Sequence, residues 1–282
     1  MKVLRAVLLL AGLLAALPAT AAHKNIAISD TLTANADQLK VKMGAQWLGI
    51  HKWRFGDYAV LSSKSKGTTT ESKSNFWKTK SSTTSSNSFK FILGNKTTDS
   101  AFVHATQEMK EQSQHPLKVT ESVGLGSEER MFESNTFTAT ITINHDTTST
   151  WTLHMGGSSI PAQNGNTEVP LAYKMMLTQG ERNIALKFVT SRPFGEAARS
   201  SSFFSKVGSS LSPPAMGYEF IEDGQSLGAV QFNSEGLGGA YTFFVWIRRD
   251  LDARTSLMLA SAMTAVLEMQ SAEGGPALPD ED

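Results

Sequence analysis

Asp250-Leu-Asp-Ala-Arg-Thr-Ser-Leu-Met-Leu-Ala-Ser-Ala-Met-Thr-Ala-Val-Leu-Glu268 is the stretch on which the fold turns. Its 12 residues from Ser256 to Leu267 carry no charge and include neither Gly nor Pro. Ala, Leu and Met are strong helix formers, so the stretch predicts a helix. Asp250 or Asp252 can supply the N-cap oxygen and the negative charge that suits a helix N-terminus. Gly274-Gly275-Pro276 stops any extension past Glu268. The apolar side chains cover nearly the whole circumference, and such a helix must be buried on most sides. It is too short for a bilayer span, which needs about 20 apolar residues. A buried helix in a chain that otherwise reads as strands sets the expected fold class: all-β with one buried C-terminal helix. The expected form is an antiparallel β-barrel of about 12 strands around a hydrophobic helix, since a barrel of eight has room only for its own side chains.

Working outward, Tyr241 to Ile247 is apolar on both faces, so something must pack on each side of that strand, and the helix is the candidate for one side. Before it, Tyr218 to Ile221 and Leu227 to Phe232 flank Asp223-Gly224, the strongest short-range hairpin signal. Phe137, Ala139, Ile141 and Ile143 alternate with Thr138, Thr140 and Thr142; past His145-Asp146, Trp151, Leu153 and Met155 alternate with Thr150, Thr152 and His154. That is an antiparallel pair with one apolar and one polar face. Ile184, Leu186 and Phe188 alternate likewise, as do Leu39, Val41 and Met43. Further strands are expected over 47–55, from Tyr58 to Leu61, and over 89–93, 101–106, 117–121 and 171–178. Turns are expected at Asn164-Gly165-Asn166 and across Gly236 to Gly239. Residues 24–37 lack periodicity and read as a lead-in. Residues 62–88 are dominated by Ser, Thr and Lys, with Phe76 and Trp77 as the only large apolar side chains. Such a segment buries little and predicts a flexible insertion or a long exposed hairpin, either a binding flap anchored by Trp77 or a solvated surface excursion.

The hairpin Tyr218-Glu-Phe-Ile-Glu-Asp-Gly-Gln-Ser-Leu-Gly-Ala-Val230, the strand Tyr241 to Ile247 and the helix Asp250 to Glu268 together resemble the tubby-like fold. That fold is shared by the tubby C-terminal domain and the phospholipid scramblases. The resemblance covers about a fifth of the chain and is one of element pattern. It implies a closed barrel around the C-terminal helix and a role in lipid handling. An open, curved sheet gripping one helix, as in periplasmic lipoprotein carriers, would bury the same helix.

The N-terminus has Lys2 and Arg5, an apolar run from Ala6 to Leu17, and Pro18-Ala19-Thr20-Ala21-Ala22, the layout of a cleavable signal peptide. Cleavage after Ala21 or Ala22 is expected, giving residues 1–22 as signal, 23–270 as a single domain containing the 62–88 insertion, and 271–282 as a disordered acidic tail. A secreted or periplasmic location without a lipid anchor follows. The chain has no Cys among its 282 residues, so disulfides and thiolate metal sites are excluded. Its 26 basic and 26 acidic residues balance, which points away from nucleic acid.

Chemistry-bearing motifs are absent from the sequence. Gly156-Gly157-Ser158-Ser159 is no nucleophile elbow, and Gly236-Leu-Gly238-Gly239 precedes a strand where a phosphate loop precedes a helix. Glu128-Glu129, Glu219, Glu222 and Asp223 could pair for glycosidase chemistry, but read as solvated turns. His23, if it becomes the N-terminal residue, could hold copper with His154 or His51; His104, His115 and His145 read as surface residues. No cofactor is expected. The favoured role is non-catalytic: binding a lipid, a membrane surface or another apolar or anionic ligand at the envelope. Lys52, Arg54, Arg248 and Arg249 would lie near a headgroup, and Trp47, Trp53 or Trp246 beside an acyl chain. An envelope enzyme or copper protein using dispersed His and acidic residues is the alternative.

Overall fold

The uncharged C-terminal run forms a helix over Ala253–Ser271 in the computed structural model, which describes residues 25–45, 49–75, 80–114, 129–160, 169–191, 215–233 and 243–271. The expected signal peptide, His23, Trp47, Phe76, Trp77, His115, the 117–121 strand, the 164–166 and 236–239 turns and the tail beyond Ser271 lie outside these residues. Of the two N-cap candidates, Asp252 serves: its Oδ1 accepts the N–H groups of Arg254 and Thr255, both at 2.9 Å. Asp250 instead pairs with Arg248.

The strands are β1 (Ala36–Lys40), β2 (Lys42–Gly44), β3 (Lys52–Phe55), β4 (Tyr58–Ser74), β5 (Lys80–Gly94), β6 (Ser100–Gln114) and β7 (Glu129–Ile143). They continue with β8 (Trp151–Ile160), β9 (Val169–Gln179), β10 (Arg182–Thr190), β11 (Met216–Glu222), β12 (Gln225–Asn233) and β13 (Phe244–Arg248). The short helix α1 (Asp30–Asn35) precedes them and α2 (Ala253–Ser271) follows. All 13 strands form one sheet in the order β1-β13-β12-β11-β10-β9-β8-β7-β6-β5-β4-β3-β2, every pair antiparallel. The two ends of that order are consecutive in the chain. β1 pairs with β13 and β2 with β3, while Val41 between them donates its N–H to Phe243 O at 2.9 Å. Counted as one bent strand, β1 and β2 make a nearly closed barrel of twelve.

The barrel wraps α2. The helix packs on β6 and β7 and also on β12 and β13, which lie on opposite walls of the ring. Every residue from Ser256 to Met269 is buried. The wall supplies Phe91, Leu93, Val103, Phe137, Ile141, Leu153, Leu177, Phe220 and Val245 to the same core. Gly228 lets the helix approach, since a Cβ there would stand 2.7 Å from Met263 Cε. The buried hydroxyls of Ser261 and Thr264 bond back to Leu257 O and Ala260 O at 2.7 and 2.8 Å, so neither is stranded in the apolar interior.

The doubly apolar β13 is explained by two cores. Val245 and Ile247 face α2. Trp246 and Phe244 face outward, into a smaller cluster with Ile26, Leu32, Ala36, Val189 and Ala229. The cover on that outer face is the segment read from sequence as a lead-in: residues 25–29 and α1, whose N-cap Ser29 accepts the Leu32 N–H. The Asp223-Gly224 turn has positive φ at both residues, 49° and 77°, the type I′ geometry that such a hairpin needs.

β4 to β7 run well past the helix. On β5, Phe89, Phe91 and Leu93 are buried, and the same face continues as Asn87, Ser85, Thr83 and Ser81. Residues 62–74 and 80–88 of the Ser/Thr/Lys-rich segment are therefore a paired hairpin extending the barrel wall, joined by β6 in unbroken register from Lys80↔Gln114 to Gly94↔Ser100. Hydroxyls cross the strands: Thr70 to Ser85 at 3.1 Å, Ser72 to Thr83 at 3.3 Å and Ser81 to Ser113 at 2.8 Å.

Candidate functional site

Two buried carboxylates stand out among the described residues, one at each core. Glu268, 4% exposed, closes the inner end of α2. Its Oε2 accepts the His51 N–H at 3.1 Å and the Trp53 Nε1–H at 2.9 Å, and lies 3.1 Å from His51 Nδ1. A carboxylate at a helix C-terminus opposes the helix dipole, and these donors offset that. Ser271 Oγ lies 3.5 Å from His51 Nδ1, but a proton relay needs acid and nucleophile on different ring nitrogens. Here both face the same one. The cluster fastens α2 to the wall.

Glu219, 3% exposed, is on the outer face. Strand alternation turns Tyr218 and Phe220 toward α2 and Glu219 away from it, beneath the residues leading into α1; the Ser29 N–H donates to its Oε1 at 3.0 Å. Beside it a groove of about 500 Å³ runs between α1 and β10 to β13, lined by Lys187, Glu219, Ser226, Gln225, Arg248 and Asp250 among others. Lys187 is the register partner of Glu219 on β10. Arg248 donates through Nε to Asp250 Oδ1 at 2.8 Å and through Nη1 to Gln225 Oε1 at 3.3 Å. That hydrogen bonding raises the Arg248 pKa and lowers that of Asp250.

The basic residues expected to cluster do not share one place. Arg54 pairs with Lys42 and Arg248 with Ala36 on the bent strand common to both, six positions and about 20 Å apart at about 3.3 Å per residue. Lys52 lies two pairs further on, against Gly44. Arg248 alone lines the groove. Arg249 pairs with Asp37 at 2.7 Å and donates to Ala36 O at 3.1 Å, holding the end of β13 to the start of β1. Trp53 is wholly buried against Phe243 and Glu268, and Trp246 is buried in the outer cluster; neither ring is half-wet. Trp47 lies outside the described residues.

His154 is half-buried beside Thr138 on the outer wall, 3.3 Å from its hydroxyl. Burial, then nearby Lys174, lowers its pKa; burial and Lys90 do the same at His104. No three His, Cys, Asp or Glu residues gather closely enough to hold a metal among the described residues. Of the acidic candidates, Glu222 is bound by Arg182 through two hydrogen bonds of 2.9 and 3.0 Å, Asp223 sits in the hairpin turn, and Glu129 begins β7. Glu128 lies outside the described residues.

Fold and site together define a nearly closed antiparallel barrel filled by its own C-terminal helix, with a polar groove on its outside. No family model, no curated protein and no solved structure matches the chain.

Proposed function

We propose that the chain is a secreted or periplasmic, non-catalytic protein that binds a lipid or another anionic ligand on the outside of its barrel. The observation that carries this is the filled interior. With α2 buried from Ser256 to Met269, a ligand must use the outer surface, where the groove beside Arg248 and Lys187 combines cationic side chains with buried polar atoms. Each buried carboxylate is bound by backbone or indole donors, an arrangement that suits structure and ligand capture more than turnover. The signal-like N-terminus supports export, and the tubby-like resemblance supports lipid as the ligand class. Native mass spectrometry of the purified mature protein, with lipid extraction and a metal assay on the same sample, tests the proposal. Co-purifying phospholipid, reduced in Lys187→Ala, is expected. A clean apo mass with no binding to anionic or zwitterionic vesicles would remove it, and stoichiometric copper would replace it with a metal-binding role.

A further inference from the structure

The outer groove has features that narrow its ligand. Ser226 is 6% exposed, lines the groove and has a hydroxyl with no hydrogen-bond partner among the described residues. Two strand positions away, Glu219 receives the Ser29 N–H on Oε1, its one hydrogen bond among the described residues. A buried hydroxyl without a partner carries a desolvation cost, and a groove-lining carboxylate that holds one donor has room for another; a ligand N–H can serve both. Arg248 is occupied by Asp250 and Gln225, whereas Lys187, directly across from Glu219 in register, forms no ion pair among the described residues. The groove therefore presents acceptors on β11 and β12 and an ammonium on β10, three adjacent strands each about 4.8 Å from the next. No aromatic ring lines it among the described residues. Quaternary ammonium ligands are held by aromatic cages, so the fitting cation carries N–H donors. A volume of about 500 Å³ suits a ligand larger than a lone ammonium and matches small-molecule pockets, about 300–1,000 Å³.

We propose that this groove binds a compact zwitterion joining a primary ammonium to a phosphate, the chemistry of phosphoethanolamine, with the ammonium on Glu219 and Ser226 and the phosphate on Lys187. This rests on the envelope-ligand proposal and deepens it. Such a group can come from a lipid headgroup or a soluble phosphate ester, and the experiment separates them.

The full mature chain is titrated calorimetrically with O-phosphoethanolamine, phosphocholine and inorganic phosphate, and floated with phosphatidylcholine vesicles with and without phosphatidylethanolamine. The primary amine should bind at least about tenfold more tightly than its trimethylated analogue, because a site built around N–H bonds is left unpaired by a ligand lacking them. Ser226→Ala, which removes no charge, should weaken binding about tenfold with an unchanged melting temperature; Glu219→Gln, which keeps the acceptor for Ser29, should do the same. Binding of phosphatidylethanolamine vesicles alone assigns the headgroup, and binding of the free ester alone assigns a soluble ligand. Equal affinity for phosphocholine, or no binding of phosphoethanolamine in either form, overturns the proposal. Vesicle binding unaffected by both substitutions would also overturn it while leaving the wider lipid proposal standing; free-ester binding without any vesicle binding would do the reverse.

Discussion

β5 holds two regimes in one strand. From Phe89 to Leu93 its inward side chains are buried in the core that also holds α2, while from Ser81 to Ser88 it is only half-buried despite continuous pairing with β6. Backbone pairing with β6 runs through both halves without a register shift. The difference is in what the side chains remove from water. Pairing fixes the path of a strand, whereas apolar burial supplies most of the free energy. The wall around the helix should therefore be the rigid half, and the hydroxyl-laced extension the half that opens first.

The comparison breaks most severely at the helix. Leu259→Asp would put an unpaired charge at a fully buried position and should leave no soluble folded protein; the milder Leu259→Ala should cost about 2–5 kcal/mol, read by thermal melting. A parent-like melt for either would mean that α2 is not the core. Glu268→Ala comes next. It leaves the Trp53 indole N–H and the His51 amide without their acceptor, a loss of about 1–3 kcal/mol, with a shifted Trp53 indole resonance by NMR. Asp252→Ala removes the N-cap and should cost about 0.5–2 kcal/mol. Hydrogen bonds from Thr255, first through its side chain and then its backbone, hold the Asp252 carboxyl below the usual range. Its contribution is thus present above the unfolded pKa of about 3.9 and is lost as pH falls through the lower folded value. Urea denaturation should show the gap between Asp252→Ala and parent at pH 7 narrowing toward pH 3; a gap of constant size would remove the charge from the account. The smallest effect is expected in the extension, where Thr83→Ala should move stability by less than about 0.5 kcal/mol. Amide exchange sharpens the same contrast, with residues 89–93 outlasting residues 81–88. Equal protection along β5 would erase the distinction between its halves.

Much of this was legible in the sequence because its signals are local. The uncharged run Ser256 to Leu267 needs a surround, the Asp223-Gly224 dipeptide sets a hairpin, and the alternation from Phe137 to Met155 gives two strands with their faces assigned. Residues 62–88 were harder: a Ser/Thr/Lys composition says that little is buried, and leaves open whether neighbouring strands pair with it. α1 went unseen because six residues with Leu32 as their sole buried member have no periodicity to detect. The site was least legible. Glu219 is buried only because residues near Ser29, 190 positions away, cross the outer wall, and Glu268 meets His51 and Trp53 across 217 and 215 positions. The basic residues near Trp47, Trp53 and Trp246 are close in sequence, but strand direction and register send them to different parts of the wall.

The bend at Val41 has a kinetic consequence. The first strand of the ring is completed by the last, Ala36 facing Arg248, and the helix that fills the ring comes later still. A chain released N-terminus first can form the meander from β3 onward by local steps, each closing a short loop. Sealing the ring instead requires a contact spanning most of the polypeptide, the kind of distant pairing that slows folding. Until α2 has been made, the nascent protein is an unfilled sheet with an exposed apolar lining, and it acquires a stable tertiary structure only once that helix is available.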